Sequence, residues 1–151
     1  MGRERKPRVD CPVCGVEVEN LRSRFCSNRC QGEHQHREYI LRWKAGLETG
    51  NRGSGRNLVV SAHVRRYLYE KYGERCTRCG WAERHEITGH VPVNVEHING
   101  NPHDSSEANL TILCPNCHSL TLTYGNLNRG NGRTKNPGPS SSREDTRLAV
   151  S

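Results

Sequence analysis

Eight cysteines arranged as four close pairs constrain how this 151-residue chain can fold more than any other feature. The pairs are Cys11/Cys14, Cys26/Cys30, Cys76/Cys79 and Cys114/Cys117. Cysteines separated by two or three residues are typical of tetrahedral zinc sites, which collect their ligands from two short turns. The sequence therefore predicts two structural Zn²⁺ sites, one held by the first two pairs and one by the last two.

The alternative for paired cysteines is a disulfide framework in a secreted protein. The N-terminal stretch MGRERKPRVD has no apolar segment of the kind that a secretion signal needs, and no stretch of the chain approaches transmembrane length. In a reducing compartment thiols stay free to bind metal, which favours zinc over disulfides. We therefore expect a cytoplasmic protein without a membrane partner.

The composition limits the size of the core. Hydrophobic residues make up only 32% of the chain, with a single Phe and a single Met. Metal ions must then help to hold the fold, which we expect to be small, α+β and zinc-stabilised. The formal net charge of +7 suggests a polyanionic partner, but thiolate ligation of two Zn²⁺ ions would lower it, so the positions of the basic residues matter more than their number.

Turn residues and periodicity divide the chain into five predicted segments. Residues 1–10 form a basic flexible arm, residues 11–45 a four-cysteine zinc finger with a helix, and residues 46–58 a glycine-rich linker. Residues 59–128 form a second zinc-braced domain. Residues 129–151, rich in Gly, Pro and Ser, are expected to be a disordered tail.

Two helices are predicted before Cys76, the first cysteine of the second cluster. The first covers about residues 31–44, with an apolar stripe that includes Trp43. The second covers about residues 61–72, with Ser61 as its N-cap and Gly73 after its last turn. Upstream of the first helix, the run FCSNRC resembles the second half of small treble-clef fingers, so the N-terminal module is expected to be a treble-clef-like or ribbon-like zinc finger.

A long insertion separates the two halves of the second cysteine cluster, so its zinc would clamp the ends of the inserted unit. Within it, VPVNVEHI alternates like a strand over about residues 91–98, and NGNP is a turn. ANLTILC adds a short apolar run, and CPNC opens a helix predicted to have about a dozen residues. The order is therefore strand, long loop, strand and helix.

The run EHI…NL…LCPNCH across these elements resembles the signature of HNH endonucleases, which carry the ββα-metal motif. It is similar to the zinc-braced, cysteine-containing branch common among bacteriophage and restriction enzymes, and it covers roughly residues 60–130. The resemblance implies a metal-dependent DNA endonuclease that hydrolyses phosphodiester bonds by nicking or double-strand cleavage. If the chain is phage-encoded, as the resemblance implies, its role would be homing, packaging-associated or restriction-like, in the host cytoplasm, and the sequence leaves the choice among these open.

The resemblance also implies roles for individual residues. His97 matches the general base, and Asn109 matches the residue that ties down the loop and orients that base. His118 matches the helix histidine that binds the catalytic divalent metal, with Glu96 as a second ligand; mixed nitrogen and oxygen ligation suits Mg²⁺, Mn²⁺ or Ni²⁺. Because adjacent helix residues point about 100° apart, Cys117 can face the zinc while His118 faces the active site.

One part of this assignment conflicts with strand geometry. Neighbouring residues of an ideal strand point to opposite faces, so Glu96 and His97 share a site only if the strand ends or bulges there. If Glu96 points away, His103 and Asp104 are the alternative metal ligands.

DNA is the partner that the resemblance implies, with a homodimer or other phage proteins, such as a packaging complex, as further candidates. The arginines expected to bind backbone phosphates are Arg65, Arg66, Arg75, Arg78 and Arg84. The competing functional class is a non-enzymatic zinc-finger DNA-binding regulator or assembly adaptor. It explains the cysteines and the charge, but gives no reason for His97, Asn109 and His118 at their spacings.

Overall fold

A computed structural model of the protein describes residues 8–20 and 22–128. In these ranges it has the α-helices α1 (Asn28–Lys44), α2 (Ala62–Tyr72) and α3 (Pro115–Ser119) and the strands β1 (Asn51–Arg52), β2 (Val59–Val60), β3 (Asn94–His97) and β4 (Leu110–Leu113). The strands form two antiparallel pairs, β1 with β2 and β3 with β4. The described chain is thus a small α+β structure, as predicted, and no helix in it could cross a membrane. The predicted tail and most of the predicted arm lie outside the described residues.

The hairpin formed by β3 and β4, followed by α3, is called here the hairpin–helix unit (residues 94–119). Asn94 lies opposite Leu113 and His97 opposite Leu110, so the four pairs follow one regular register. Cys114 is the N-cap of α3, and its side chain accepts a hydrogen bond from the Cys117 amide. The order of strand, loop, strand and helix therefore agrees with the sequence prediction.

Helix α3 is five residues long, so the prediction of about a dozen was wrong. The Thr121 hydroxyl donates to the His118 carbonyl at 2.9 Å, and Leu120 already lies at the C-cap. Threonine hydroxyls that bond to the preceding turn compete with helix continuation, and two threonines follow Leu120 within three residues. The chain after α3 consequently leaves the helix beside His118.

Strand β3 is also shorter than the predicted residues 91–98. Val91 and Val93 are buried in the core but lie outside the ladder. Pro92 stands between them and has no amide proton to donate to a neighbouring strand, and the Val93 amide bonds back to the Val91 carbonyl at 2.8 Å. The alternation in the sequence therefore marks burial here rather than strand pairing.

A hydrophobic cluster joins α1, β2, α2 and the hairpin–helix unit. Its buried members are Ile40, Trp43, Val60, Val64, Leu68, Val91, Val93, Leu110 and Ile112. In α2, Val64 and Leu68 lie one turn apart and are both fully buried. The Ser61 side chain accepts from the Val64 amide and Gly73 forms the C-cap, which confirms the predicted ends of this helix.

The segment predicted as a linker, residues 46–58, contains strand β1 and packs closely against its surroundings. Asn51 pairs with Val60 across the β1–β2 hairpin. Gly50 is buried, with φ +75°, and an ideal Cβ placed on it would lie 2.6 Å from Trp43 Nε1 and 2.9 Å from the Ser105 carbonyl oxygen. Helix α1 and the hairpin therefore contact the loop before β4, while the predicted domain boundaries themselves stay a prediction.

We expect Gly50→Ala to lower the free energy of unfolding by about 2 to 4 kcal/mol, because a left-handed backbone and two close contacts both oppose a Cβ. Gly46→Ala is a matched control, since Gly46 has φ +74° but no atom within 4 Å of an ideal Cβ. Urea unfolding of the zinc-loaded chain measures both variants. Equal losses in the two would contradict the close packing at Gly50.

Candidate metal centres and active site

The first cysteine cluster has the geometry of a tetrahedral metal site. Its four Sγ atoms lie within 4.8 Å of one another, and Cys14 and Cys26 are 3.4 Å apart. Zinc–sulfur bonds of about 2.3 Å at tetrahedral angles place sulfurs roughly 3.8 Å apart. The Cys26 backbone amide lowers the pKa of the Cys11 thiol to about 6, whereas the Cys14 side chain raises the pKa of the Cys26 thiol to about 12, so the sulfur geometry is the stronger indication of a metal site. These residues could therefore hold zinc.

Local turns bring this cluster together. The Gly15 amide donates to the Cys11 carbonyl at 2.8 Å, and Gly15 has φ +74°, as a tight knuckle requires. Cys30 lies in the first turn of α1, where its amide donates to the N-cap Ser27 at 3.3 Å. One knuckle and one helix start thus supply the ligands, and a β-bridge between Asp10 and Glu17 closes the knuckle.

The second cluster joins the knuckle at Cys76 to the end of β4. Its four Sγ atoms also lie within 4.8 Å of one another, with Cys79 and Cys114 at 3.8 Å. Burial opposes the charged form of Cys76, but hydrogen bonds from the backbone amides of Cys114, Cys79 and Arg78 together outweigh it, and the pKa of this thiol falls to about 6. The Thr77 amide donates to the Ile112 carbonyl at 2.9 Å. A zinc ion here would clamp the knuckle onto the hairpin–helix unit.

None of the eight cysteines, all of which lie in the described ranges, forms a disulfide. The disulfide framework considered as the alternative therefore has no counterpart in the structure, and two four-cysteine clusters able to hold zinc take its place.

Glu96 and His118 converge on one point beside α3. His118 Nδ1 lies 2.7 Å from Glu96 Oε2, and the two side chains are 31% and 14% exposed. Among the described residues His118 Nδ1 is buried without a hydrogen bond, so the contact has the distance but not the alignment of one. Adjacent ligands of an octahedral divalent ion lie about 3 Å apart. A nitrogen and a carboxylate oxygen placed this way fit a shared cation.

Two neighbours hold this pair in place. The Thr123 hydroxyl donates to Glu96 Oε1 at 3.2 Å, which leaves Oε2 as the oxygen that faces His118. The Tyr124 ring packs edge-on against the His118 ring, with centroids 5.2 Å apart. Both neighbours come from the segment that follows α3, so the early end of the helix also shapes this site.

His97 is the last residue of β3, and its ring contacts the loop before β4. The register through His97 is regular, so the strand ends at this residue and does not bulge. Glu96 contacts α3, whereas His97 Nε2 lies 2.8 Å from the Ser105 hydroxyl in the loop before β4. The strand end that the prediction named as one condition for a shared site is therefore present, and the site itself stays a prediction.

Asn109 ties both ends of that loop together. Its side chain accepts from the Asn99 amide at 3.0 Å and donates to the Asp104 carbonyl at 2.6 Å. Its backbone carbonyl accepts from the Ile98 amide at 2.8 Å, directly after His97. Asn109 is buried, so these bonds are shielded from water and hold the loop that faces His97.

The alternative ligands have other surroundings. Hydrogen bonds from Ser106 and Asn99 lower the pKa of Asp104, whose carboxylate is thereby part of the loop's own bonding. The side chain of His103 is exposed. With Glu96 facing His118, neither alternative residue is needed to complete the pair.

The predicted phosphate-binding arginines fall into two groups. Arg66 is paired with Glu33 and Glu70 at 2.7 and 2.6 Å, and Arg84 is paired with Glu74 at 2.9 Å. Their charges are already balanced by carboxylates. No ion pair joins Arg65 to another described residue, and with Arg52 it lines a cavity of about 220 Å³ near the start of α2. Exposed Arg75 and Arg78 likewise make no such ion pair within the described ranges.

Sequence reasoning missed three residues around His97, namely Trp43, Asn51 and Ser105. The hairpin that carries Asn51 had a detectable signal, because NRGSGRNLVV places a glycine-containing turn before β-branched residues. Nothing in the local sequence indicated that this hairpin would lie against the loop at Ser105.

Comparison with known proteins gives a partial match. No family model matches the chain, and no solved structure matches it. A curated relative, H-N-H endonuclease F-TflIV of Escherichia phage T5, is 37% identical over 59 residues, which cover 37% of this chain and 24% of that protein. The matched region thus spans about a quarter of the relative's length. This chain is similar over part of its length to a phage HNH endonuclease, which suggests a nuclease.

Proposed function

We propose that this protein is a metal-dependent DNA endonuclease of the HNH type that hydrolyses phosphodiester bonds. The observation that carries the proposal is the convergence of His118 Nδ1 and Glu96 Oε2 to 2.7 Å, next to a strand that ends at His97. The partial similarity to a phage HNH endonuclease supports it. A regulator or adaptor built from two zinc fingers has no need for this convergence.

Glu96 and His118 would hold one divalent ion, Mg²⁺, Mn²⁺ or Ni²⁺, through one oxygen and one nitrogen. Two protein ligands leave the other positions to water and phosphate oxygens. When bound, the ion supplies Lewis-acid stabilisation of the phosphate charge and of the leaving 3′-oxygen. A zinc ion held by the second cluster, which includes Cys114 and Cys117, would fix the start of α3 and therefore the position of His118.

His97 is the proposed general base, which accepts a proton from the water that attacks phosphorus. The 3′-oxygen is the leaving group, so the products carry 5′-phosphate and 3′-hydroxyl ends. A neutral imidazole has the basicity for this near pH 7. Asn109 maintains the loop that faces His97 through its bonds to Asn99 and Asp104. Arg52, Arg65, Arg75 and Arg78 are the proposed phosphate contacts, and binding through them weakens as salt rises.

Incubation of supercoiled plasmid with the zinc-loaded chain and Mg²⁺ or Mn²⁺ tests this function. We expect nicked or linear products, and we expect His97→Ala to lower the rate about 10²- to 10⁴-fold because the general base is lost. Zinc analysis should still find two ions per chain in the variant.

His103→Ala serves as the comparison variant, because His103 is an exposed histidine of the neighbouring loop. A large rate loss in His103→Ala would overturn the assignment of Glu96 and His118 as the metal pair. A wild-type chain that binds DNA and zinc yet cuts under no condition would contradict the nuclease proposal and favour the zinc-finger regulator or adaptor.

A further inference from the structure

A chain of hydrogen bonds runs from the β1–β2 hairpin to His97. His97 Nε2 lies 2.8 Å from Ser105 Oγ, and Ser105 Oγ lies 2.6 Å from Asn51 Oδ1. At its other end the Asn51 amide nitrogen lies 3.0 Å from the Pro102 carbonyl oxygen. Ser105 is 1% exposed, so no bulk solvent competes at the middle of the chain.

The direction of each bond follows from what each atom can do. The Pro102 carbonyl can only accept, so the Asn51 amide nitrogen faces it and the Asn51 oxygen faces Ser105. That oxygen can also only accept, so the Ser105 hydroxyl donates to it. A hydroxyl has one proton, and Ser105 must therefore accept from His97. The bond at His97 Nε2 is satisfied only when Nε2 carries a proton.

We propose that Ser105 and Asn51 are positioning residues that hold His97 in the Nε2-protonated tautomer, in which Nδ1 carries the lone pair and is the basic nitrogen. This inference rests on the proposed function. It also assigns a role to the N-terminal half, because Trp43 Nε1 of α1 donates to the Ser105 carbonyl at 2.8 Å and Asn51 belongs to the predicted linker. Residues 59–128 alone would lack both of these contacts.

The first test reads the tautomer without any cleavage assay. The zinc-loaded 151-residue chain with ¹⁵N-labelled histidine is studied by long-range ¹H–¹⁵N spectroscopy at a pH where His97 is neutral, and His97→Ala assigns the signal. We expect a pyrrole-like Nε2 and a pyridine-like Nδ1 in the wild type. Ser105→Ala and Asn51→Leu should shift both nitrogens towards the averaged values of a mixed population. A wild type protonated on Nδ1, or variants with unchanged shifts, would overturn the inference.

The second test separates positioning from general damage to the fold. We expect Asn51→Leu to lower kcat about 10- to 100-fold with little change in KM, as is usual when the partner of an active-site group is lost. Asn51→Asp should restore part of the rate, because its carboxylate still accepts from Ser105 although it can no longer donate to the Pro102 carbonyl. Ser106→Ala is the matched control, since Ser106 is exposed and its side chain bonds to Asp104. Equal losses of kcat in Asn51→Leu and Asn51→Asp would contradict the proposed role of the hydrogen bonds from Asn51 through Ser105 to His97.

The nuclease proposal and the proposal for the His97 tautomer can fail independently of each other. If the wild type does not cut DNA, the nuclease proposal fails, while the spectra still decide which nitrogen of His97 is protonated and whether Ser105 and Asn51 determine it. If the wild type cuts DNA but His97 is protonated on Nδ1, the nuclease proposal stands and the proposed role of Ser105 and Asn51 is wrong.

Discussion

Cys114→Ser is expected to release one of the two Zn²⁺ ions and unfold the hairpin–helix unit. Cys114 is buried, caps α3 through the Cys117 amide, and belongs to the cluster that joins the Cys76 knuckle to β4. Structural zinc contributes about 10 to 16 kcal/mol in small zinc modules, whereas whole domains are stable by about 5 to 15 kcal/mol. Losing one thiolate ligand therefore removes a contribution comparable to the total stability.

Zinc content and near-ultraviolet circular dichroism measure this outcome. Cys26→Ser is the matched control, because it removes a ligand of the other cluster, and none of that cluster's cysteines belongs to the hydrophobic cluster that packs on the hairpin. We expect each variant to retain one zinc, but only Cys114→Ser to lose the folded hairpin. Retention of both ions and of the native spectrum in Cys114→Ser would show that the second cluster does not hold structural zinc.

The parts of the fold that were predictable depend on short-range chemistry. Two or three residues between cysteines already determine which thiols can share an ion, and Ser61 and Gly73 mark helix ends by hydrogen bonds and backbone conformation within one turn. The convergence of Glu96 and His118 followed from a family resemblance that carries long-range information. Strand alternation alone could not decide whether Glu96 faced His118, because this depends on how α3 lies against β3.

The missed parts depend on contacts between distant segments. Val91 and Val93 alternate like strand residues but pack into the core without a ladder partner, and Pro92 prevents one from forming. The Asn51–Ser105 bond joins residues 54 positions apart, across what local composition marks as a linker. The glycines in that segment predicted flexibility. At Gly50, however, Trp43 and Ser105 leave no space for a Cβ.

Glu96→Gln and His118→Ala are each expected to weaken Mn²⁺ binding at least about 10-fold and to slow cleavage by about 10²-fold or more, since both remove a ligand of the same ion. Calorimetric titration of the zinc-loaded chain with Mn²⁺ measures the affinity without DNA. Glu86→Gln is the control, because it is an exposed glutamate of the same region. Zinc content should stay at two ions per chain in all three variants.

The double variant Glu96→Gln/His118→Ala distinguishes a shared ion from two separate effects. Residues that act as one unit give non-additive losses, because the second removal has little left to disrupt. We therefore expect the double variant to lose Mn²⁺ affinity and cleavage rate by much less than the product of the single factors. Fully multiplicative losses would mean that the two side chains act independently. The 2.7 Å contact between His118 Nδ1 and Glu96 Oε2 would then be an ion pair without a metal-binding role.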